Sequence, residues 1–491
     1  MHRENDFALG GALWPNYELI ARDLELNFLI GAMSGGDDFV SQVAREALLS
    51  GSHNDLESML YRQSVLRDCL QNSAFIKKMY ELSTDFLEKK KENRLGIFSH
   101  TPSGVVRDGT KFLRYLIDCV ATLKQTATGY ESKFKSEGFS NLFSVLSSSL
   151  SDDFISRVTQ HLQQLEFDDG ILVSAELGEG NQGINYMLHK SGKSGFLPGV
   201  FARKSSAQTF RVDPRDDAGA RNLGVLRDRG LYAIANALGR SCNRILNFFH
   251  QLRTELAFYV GCINLHRKLC ATDSPLCFPI CDIENRLPLS AVNLCNANLA
   301  LKSNGVVSNS FVADGKKQVL ITGCNQGGKT IFLQSIGVAQ LMMQSGMFVV
   351  AESFVSDFYQ GVFTHFRREE DATMASGKFD EELLRMSEIV DMLAPNSLLL
   401  FNESFAATNE REGSVIANEV ITAILTGNAR ILFVTHFYEY ARRVWENNGS
   451  DAVLFLRAER RSNGERTFKL MPGEPLPTSF GTDLHAQIYS E

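Results

Sequence analysis

Val319-Leu-Ile-Thr-Gly-Cys-Asn-Gln-Gly-Gly-Lys-Thr330 is a short apolar run that breaks into glycines and ends on a lysine and a hydroxyl. Gly323, Gly328, Lys329 and Thr330 satisfy the spacing G-x-x-x-x-G-K-[ST], and the helical pattern of Ile331 to Gln344 follows at once. Strand, glycine loop and helix in that order make a phosphate cradle. Glycines let backbone N–H groups wrap a phosphate, and the helix N-terminus adds its positive dipole. Lys329 would reach the outer phosphates, and Thr330 would offer its hydroxyl to Mg²⁺. ATP with Mg²⁺ is the expected ligand.

Two further strands carry chemistry at their ends. Ser397-Leu-Leu-Leu-Phe-Asn-Glu403 has the layout in which a first acid helps hold Mg²⁺ and a second polarises the attacking water. Here the first position is Asn402, so Thr330 and Asn402 are the candidate metal residues. The amide brings no charge, which puts turnover in doubt. Glu403 remains acidic and, with His436, is a candidate catalytic residue. Ile431-Leu-Phe-Val-Thr-His436 is another buried run, and its terminal histidine is expected to contact the γ-phosphate or the water. Short apolar strands alternating with helices after Pro288 predict a mainly parallel α/β sheet with its ligands at the carboxyl edge.

Outward from these strands the chain is 491 residues, enough for two to four domains. With 44% hydrophobic and 22% charged residues it excludes global disorder, and 57 acids against 50 bases exclude a basic-tail nucleic-acid binder. Nine cysteines without paired short spacing indicate reduced thiols and a cytoplasmic setting. Met1 to Tyr17 lacks the apolar run of a signal peptide, and no run is long enough for a membrane span. Asn16 to Leu49, Asp55 to Lys91, Phe112 to Leu123 and Leu142 to Leu165 read as helix, with turns at Ser34-Gly35-Gly36 and Pro102-Ser103-Gly104. Ile171 to Leu177 and Ile184 to Leu188 read as a small β insertion. From Ala218 to Leu269 the helical period runs unbroken, as one very long helix or two in line. Arg203, Lys204, Arg211, Arg215, Arg221, Arg227 and Arg229 make a basic stretch ahead of it. Asp213, Asp216, Asp217 and Asp228 interleave, favouring a solvated face over phosphate contact.

The words between the three strands resemble the MutS family of mismatch-repair ATPases. Thr322-Gly-Cys-Asn-Gln-Gly-Gly-Lys-Thr330 is similar to that family's T-G-P-N-x-x-G-K-S, which adds Asn325 to the nucleotide-binding set of Gly323, Gly328, Lys329, Thr330 and the further loop glycine Gly327. Phe363-Thr364, after Ala351-Glu352, is similar to a segment joining nucleotide and DNA-side domains. Ala375-Ser376-Gly377-Lys378 resembles the signature loop whose serine reaches the partner subunit's ATP, so Ser376 is implied as a nucleotide contact in trans. Thr408-Asn-Glu-Arg-Glu-Gly413 resembles the dimer-facing loop, Thr435-His436 the T-H motif and Thr478-Ser-Phe-Gly481 the closing motif. The likeness is specific from Leu320 to Gly481. It is weaker earlier, where Tyr61 to Arg67 and the long helix look like core and lever helices.

Asn402 and Cys324 depart from the family's Asp and Pro. The chain starts directly in helical core, so no mismatch-reading or connector domain is expected, nor a nuclease-like tail. Phe86-Leu-Glu88 and Phe379-Asp-Glu381 match the mismatch-reading pattern only by chance. The resemblance implies a mixed fold: helical core at 1–165, β-containing insertion at 166–217, lever helices at 218–285 and an α/β P-loop ATPase domain at 286–491. It implies a homodimer closing through the ATPase domains, and DNA held mainly by its backbone. The alternatives are a nucleotide-gated scaffold with little hydrolysis and no DNA binding, or another ABC- or SMC-type ATPase. The latter would carry a Leu-Ser-Gly-Gly signature. Phe311, within Leu294 to Phe311, is the guess for the adenine contact.

Overall fold

The computed structural model describes residues 5–7, 9–50, 55–92, 95–167, 170–189, 211–303, 305–368, 377–461 and 465–476. The helices of the first part are α1 (Tyr17–Asp23), α2 (Leu26–Ser34), α3 (Asp38–Leu49), α4 (Leu56–Gln71), α5 (Ser73–Glu92), α6 (Pro102–Ala127), α7 (Glu137–Ser144) and α8 (Asp152–Gln164). A hairpin of β1 (Leu172–Leu177) and β2 (Gly183–His189) precedes the single helix α9 (Asp217–Cys270). Then come β3 (Ile280–Cys281), β4 (Leu289–Leu294), α10 (Ala297–Lys302), β5 (Asn309–Val312), β6 (Gln318–Thr322) and α11 (Lys329–Gln344). The last elements are β7 (Ser353–Ser356), β8 (Gly361–Phe366), α12 (Lys378–Met392), β9 (Ser397–Asn402), α13 (Glu410–Thr426), β10 (Arg430–Val434), α14 (Tyr438–Ala452), β11 (Val453–Arg460) and β12 (Arg466–Pro472). Among the described residues no helix is long and apolar enough to cross a membrane.

The helical readings survive with different punctuation. Asn16 to Leu49 is three helices, because Glu25 turns left-handed at φ 53° and Gly35 and Gly36 do the same at 60° and 96°. Asp37 then caps α3 by accepting from the N–H groups of Phe39 and Val40. Asp55 to Lys91 divides at Asn72, whose side-chain amide donates to the Asp68 carbonyl at 3.1 Å. Pro102-Ser103-Gly104 is not a turn but the first turn of α6. Thr101 Oγ1 accepts from Gly104 N, and Pro102 occupies a position where a missing N–H costs nothing.

By contacts the chain divides into two compact units: Met1–Ile76, Ser136–Gly138 and Thr254–Glu491 in one, Lys77–Lys135 and Phe139–Arg253 in the other. Among the described residues of the second unit, Phe112, Leu113 and Leu116 of α6, Leu162 of α8 and Leu231, Ala235 and Leu238 of α9 pack into a common core. Its hairpin is antiparallel, with Leu172 opposite His189.

The first unit holds two sheets. Six strands in the order β12-β11-β6-β10-β9-β8 are parallel throughout except for the β11–β12 edge hairpin. Four more run β3-β7-β4-β5, with only the β3–β7 pair parallel. The central strands are apolar over 319–321, 398–401 and 431–434 because both faces of the six-stranded sheet are covered. Leu399, Phe401, Ile431 and Phe433 pack under α12, α13 and α14. On the alternate positions α11 packs against β9 and β10, and carries α3 and α4 on its outer side. Gly337 permits this, since a Cβ there would stand 2.6 Å from Leu400 and 2.8 Å from Leu24. Each such side chain withdrawn from water contributes about 1.5–3 kcal/mol.

Arg430, first residue of β10, is almost fully buried. Its guanidinium donates to the carbonyls of Lys316 (2.9 Å), Pro288 (2.8 Å), Ala313 (3.2 Å) and Leu287, and to the Tyr359 hydroxyl (2.8 Å). It thereby ties the loops flanking β4 and β5 to the central sheet.

Candidate functional site

Parallel register brings the ends of four strands level. Val434 of β10 pairs with Ile321 of β6 and with Asn402 of β9, and Asn402 pairs with Phe366 of β8. The segments that follow, 323–328, 435–436, 403 and 367, therefore emerge at one edge. Thr435 N donates to the Ile321 carbonyl at 3.0 Å and Glu403 N to the Val434 carbonyl at 2.8 Å, so pairing continues into the loops. A cavity of about 500 Å³ opens there, of a size that suits a small ligand. Asn325, Gly327, Gly328, Lys329, Thr330, Glu403 and His436 all line it.

The glycine loop is held tight. Gly323 and Gly328 take φ of 112° and 86°. A Cβ on Gly327 would stand 2.7 Å from Ala458 and 2.9 Å from the Cys324 carbonyl, so the loop lies flat on β11. Lys329 is buried, and its Nζ donates to the carbonyls of Gly323 (2.9 Å) and Cys324 (2.8 Å). Burial lowers its pKa, opposed by Cys324 and Glu403. A buried cation whose acceptors are only neutral carbonyls is matched to an incoming anion.

Thr330 Oγ1 donates to Asn402 Oδ1 at 3.1 Å. Glu403 stands beside them with a left-handed backbone at φ 55°. Its Oε1 is 3.0 Å from His436 Nε2 and its Oε2 is 3.2 Å from an Arg367 guanidinium nitrogen. Its pKa is pulled down to about 2, chiefly by the hydrogen bond from His436 against the opposing effect of burial, with Arg367 adding to the pull. The carboxylate is ionised throughout the neutral range.

Behind Glu403 lies a buried polar knot that no motif announced. Glu382 of α12 accepts from Phe405 N at 2.6 Å and from Ala407 N at 3.3 Å. Burial raises its pKa, against those two hydrogen bonds and Arg385. His365 of β8 reaches the Glu382 carbonyl through Nε2 (3.1 Å) and Ser404 Oγ through Nδ1 (2.7 Å). Burial, with Arg385 nearby, depresses its pKa to about 3, so the ring is neutral. The carbonyl accepts from Nε2–H, and Nδ1 is left to accept from the Ser404 hydroxyl. Loops are read poorly from sequence, but Arg367, Glu382 and His365 had a signal: charged or imidazole groups within or flanking apolar runs.

Ser376, with the rest of Ala375-Ser376, lies outside the described residues, as do Arg203, Lys204 and Thr478 to Gly481. Asn409 caps α13, its side chain accepting from Glu412 N at 3.0 Å. Phe311 is buried edge-on to Phe332, ring centroids 5.3 Å apart, and does not line the cavity. Leu294, Val307, Phe332 and Phe468 give that cavity its apolar wall. Phe468 is half exposed, and its backbone is fixed by Asn309 Nδ2 donating to its carbonyl at 3.2 Å. In the second unit Arg211, Arg215, Arg221, Arg227 and Arg229 are exposed. Asp213 and Asp216 accept instead from the backbone N–H groups of Arg215 (2.9 Å) and Gly219 (2.8 Å).

Comparison with known proteins matches residues 319–483 to MutS domain V and residues 54–272 to the MutS2 N-terminal domain. Proteins named Endonuclease MutS2 are similar over part of the chain. That of Clostridium novyi is 30% identical over 174 residues, 35% of this chain and 22% of the relative. That of Streptococcus uberis is 30% identical over 186 residues, 38% of this chain and 24% of the relative. The chain belongs to the MutS-like family. The resemblance of the loop and strand motifs to MutS ATPases is thereby met by the match to domain V, which contains the glycine loop, Asn402, Glu403 and His436. In each of these two alignments the chain spans less than a quarter of the relative's length.

Proposed function

We propose that this MutS-like chain binds ATP with Mg²⁺ at the carboxyl edge of β6, β9 and β10 and hydrolyses it slowly. The observation that carries the proposal is the convergence of Lys329, Thr330, Glu403 and His436 on one cavity beside the glycine loop, with Asn402 bonded to Thr330 at its edge. Phosphates entering the loop would take over the Lys329 protons now given to Gly323 and Cys324 carbonyls, exchanging neutral acceptors for anionic ones. The base would lie along the apolar wall, with Phe468 rather than Phe311 as the ring available for stacking.

Thr330 and Asn402 fit a magnesium ion that takes few protein ligands and many from phosphate and water. When bound, Mg²⁺ would neutralise charge on the phosphate oxygens. Two neutral oxygens make a weak site, which supports a high Mg²⁺ requirement. Glu403, tethered by His436, would orient the attacking water. A carboxylate whose pKa is about 2 is a poor proton acceptor, so its contribution is positioning more than proton removal. Slow turnover follows.

Two copies would close on nucleotide through their ATPase parts, with Ser376 and the stretch Asn409 to Gly413, which the structure folds as the cap and first turn of α13 rather than a loop, at the junction. Core and lever helices would pass the change to DNA, bound mainly through its phosphates. The exposed arginines from Arg211 to Arg229, beside which Asp213 and Asp216 accept from backbone N–H groups, support that last step. A nucleotide-gated scaffold with negligible hydrolysis is the second reading. Asn402, neutral and already engaged by Thr330, favours it.

Steady-state hydrolysis with and without duplex and branched DNA, together with light scattering in each nucleotide state, tests the proposal. ATP-dependent dimerisation and a measurable rate that falls in Glu403→Gln are expected. Tight ATP binding with equal, near-zero rates in both proteins would leave the scaffold. A monomer in every nucleotide state would remove the closure.

A further inference from the structure

Glu403 is held from both sides, and one of the two holds has no place in the motifs. Arg367 directly follows β8, and its backbone N donates to the Asn402 carbonyl at 2.9 Å. That bond extends the β8–β9 pairing by one residue and sets the Arg367 side chain level with Glu403. Its guanidinium meets Oε2 at 3.2 Å while His436 meets Oε1 at 3.0 Å. The two donors come from strands on opposite sides of β9 and take different oxygens. Together they fix the torsions of a side chain that a single hydrogen bond would leave free to turn. Arg367 is itself half exposed and does not line the nucleotide cavity, so it has no direct contact to lose with the ligand.

From this geometry we infer that Arg367 is a positioning residue for Glu403: it holds the carboxylate in the orientation that directs water at the nucleotide. The inference rests on the proposed role of Glu403. A bare ion pair at this exposure contributes little to folding, so the consequence of losing it falls on orientation. Arginine suits the task because its fork fixes direction, which a flexible ammonium does less well.

The test compares wild type, Arg367→Gln, Arg367→Lys, Glu403→Gln and the double variant Arg367→Gln/Glu403→Gln as full chains. Three quantities are read: steady-state kcat and KM for ATP, equilibrium affinity for a non-hydrolysable ATP analogue, and thermal midpoint. Arg367→Gln should lower kcat about tenfold, with KM and analogue affinity within about twofold of wild type and the thermal midpoint within about 2 °C. Arg367→Lys should restore part of the rate. The double variant should be no slower than Glu403→Gln alone, since a residue acting only through Glu403 has nothing to add once Glu403 is gone. The inference is overturned by an unchanged or raised kcat in Arg367→Gln, by a loss expressed in affinity, or by additivity in the double variant. If wild type binds no analogue, or Glu403→Gln hydrolyses at the wild-type rate, the proposed function fails first and this inference with it.

Discussion

Replacing Glu382 by alanine removes the one carboxylate that holds the peptide after Glu403. Glu382 is only 3% exposed, and Phe405 N and Ala407 N are its two donors. A buried N–H left without a partner costs roughly 1–3 kcal/mol. Phe405 is fully buried and Ala407 half-buried, so about 2 and about 1 kcal/mol are reasonable shares. Lost packing of the side-chain methylenes adds about 1 kcal/mol, and relief of the buried charge returns a similar amount. The net expectation is about 3 kcal/mol of local stability, or roughly a hundredfold faster opening. Hydrogen exchange read by mass spectrometry on the peptide covering residues 403–407 measures this directly. Glu382→Gln should fall between, because its oxygen still accepts from Phe405 N while its amine faces Ala407 N–H. Analogue affinity should hold within about twofold while turnover drops, since Lys329 and the glycine loop are untouched. Exchange accelerated by less than threefold in the alanine variant would refute the reasoning, for it would mean the loop is held by something other than Glu382.

Lys329→Ala should weaken binding of a non-hydrolysable ATP analogue at least a hundredfold by equilibrium titration; a loss within threefold would remove the loop as the phosphate site. Asn402→Asp should lower the Mg²⁺ concentration giving half-maximal turnover by about tenfold, because it returns an anionic group beside Thr330. A Mg²⁺ titration of hydrolysis reads it, and an unchanged midpoint would count against Asn402 as a metal residue. His365 makes stability depend on acid. Its folded pKa of about 3 lies below the unfolded value of about 6.5, so the unfolded chain takes the proton and stability falls as pH drops through that window. The slope it contributes is about 1.4 kcal/mol per pH unit, and urea unfolding of His365→Gln between pH 4 and 6 should be correspondingly shallower.

What the sequence made legible followed from burial. Leu398 to Phe401 and Ile431 to Val434 are apolar at every position because helices cover both faces, and that run length marked them as central parallel strands. The glycine loop was legible because φ values such as those of Gly323 and Gly328 demand glycine. The β11–β12 hairpin was not, since Phe468 and Met471 stay partly exposed and Arg466 and Lys469 interrupt the apolar pattern. Left-handed breaks at non-glycine residues were equally silent: nothing local marks Glu25. Arg367 acquires meaning only through register, which sets a residue after one strand against a residue after another, and Glu382 only through the seating of α12 on the loop after β9. Phe311 was drawn to the site by residue type and by its segment, yet alternation along β5 turns it inward.

Arg430 has a consequence for how any pH or salt dependence of this protein should be apportioned. Its acceptors are four carbonyls and a phenol whose own pKa is raised by burial, so none changes charge near neutrality. A fastening of that kind is also shielded from dissolved ions, unlike a contact in water, where attraction fades over about 10 Å at 0.1 M salt. The joint between the two sheets therefore behaves as a fixed frame across the conditions used to probe the nucleotide edge. Responses to acid or salt seen there belong to that edge and its ligand, and to His365 behind Glu403, and not to a loosening of the joint that Arg430 makes.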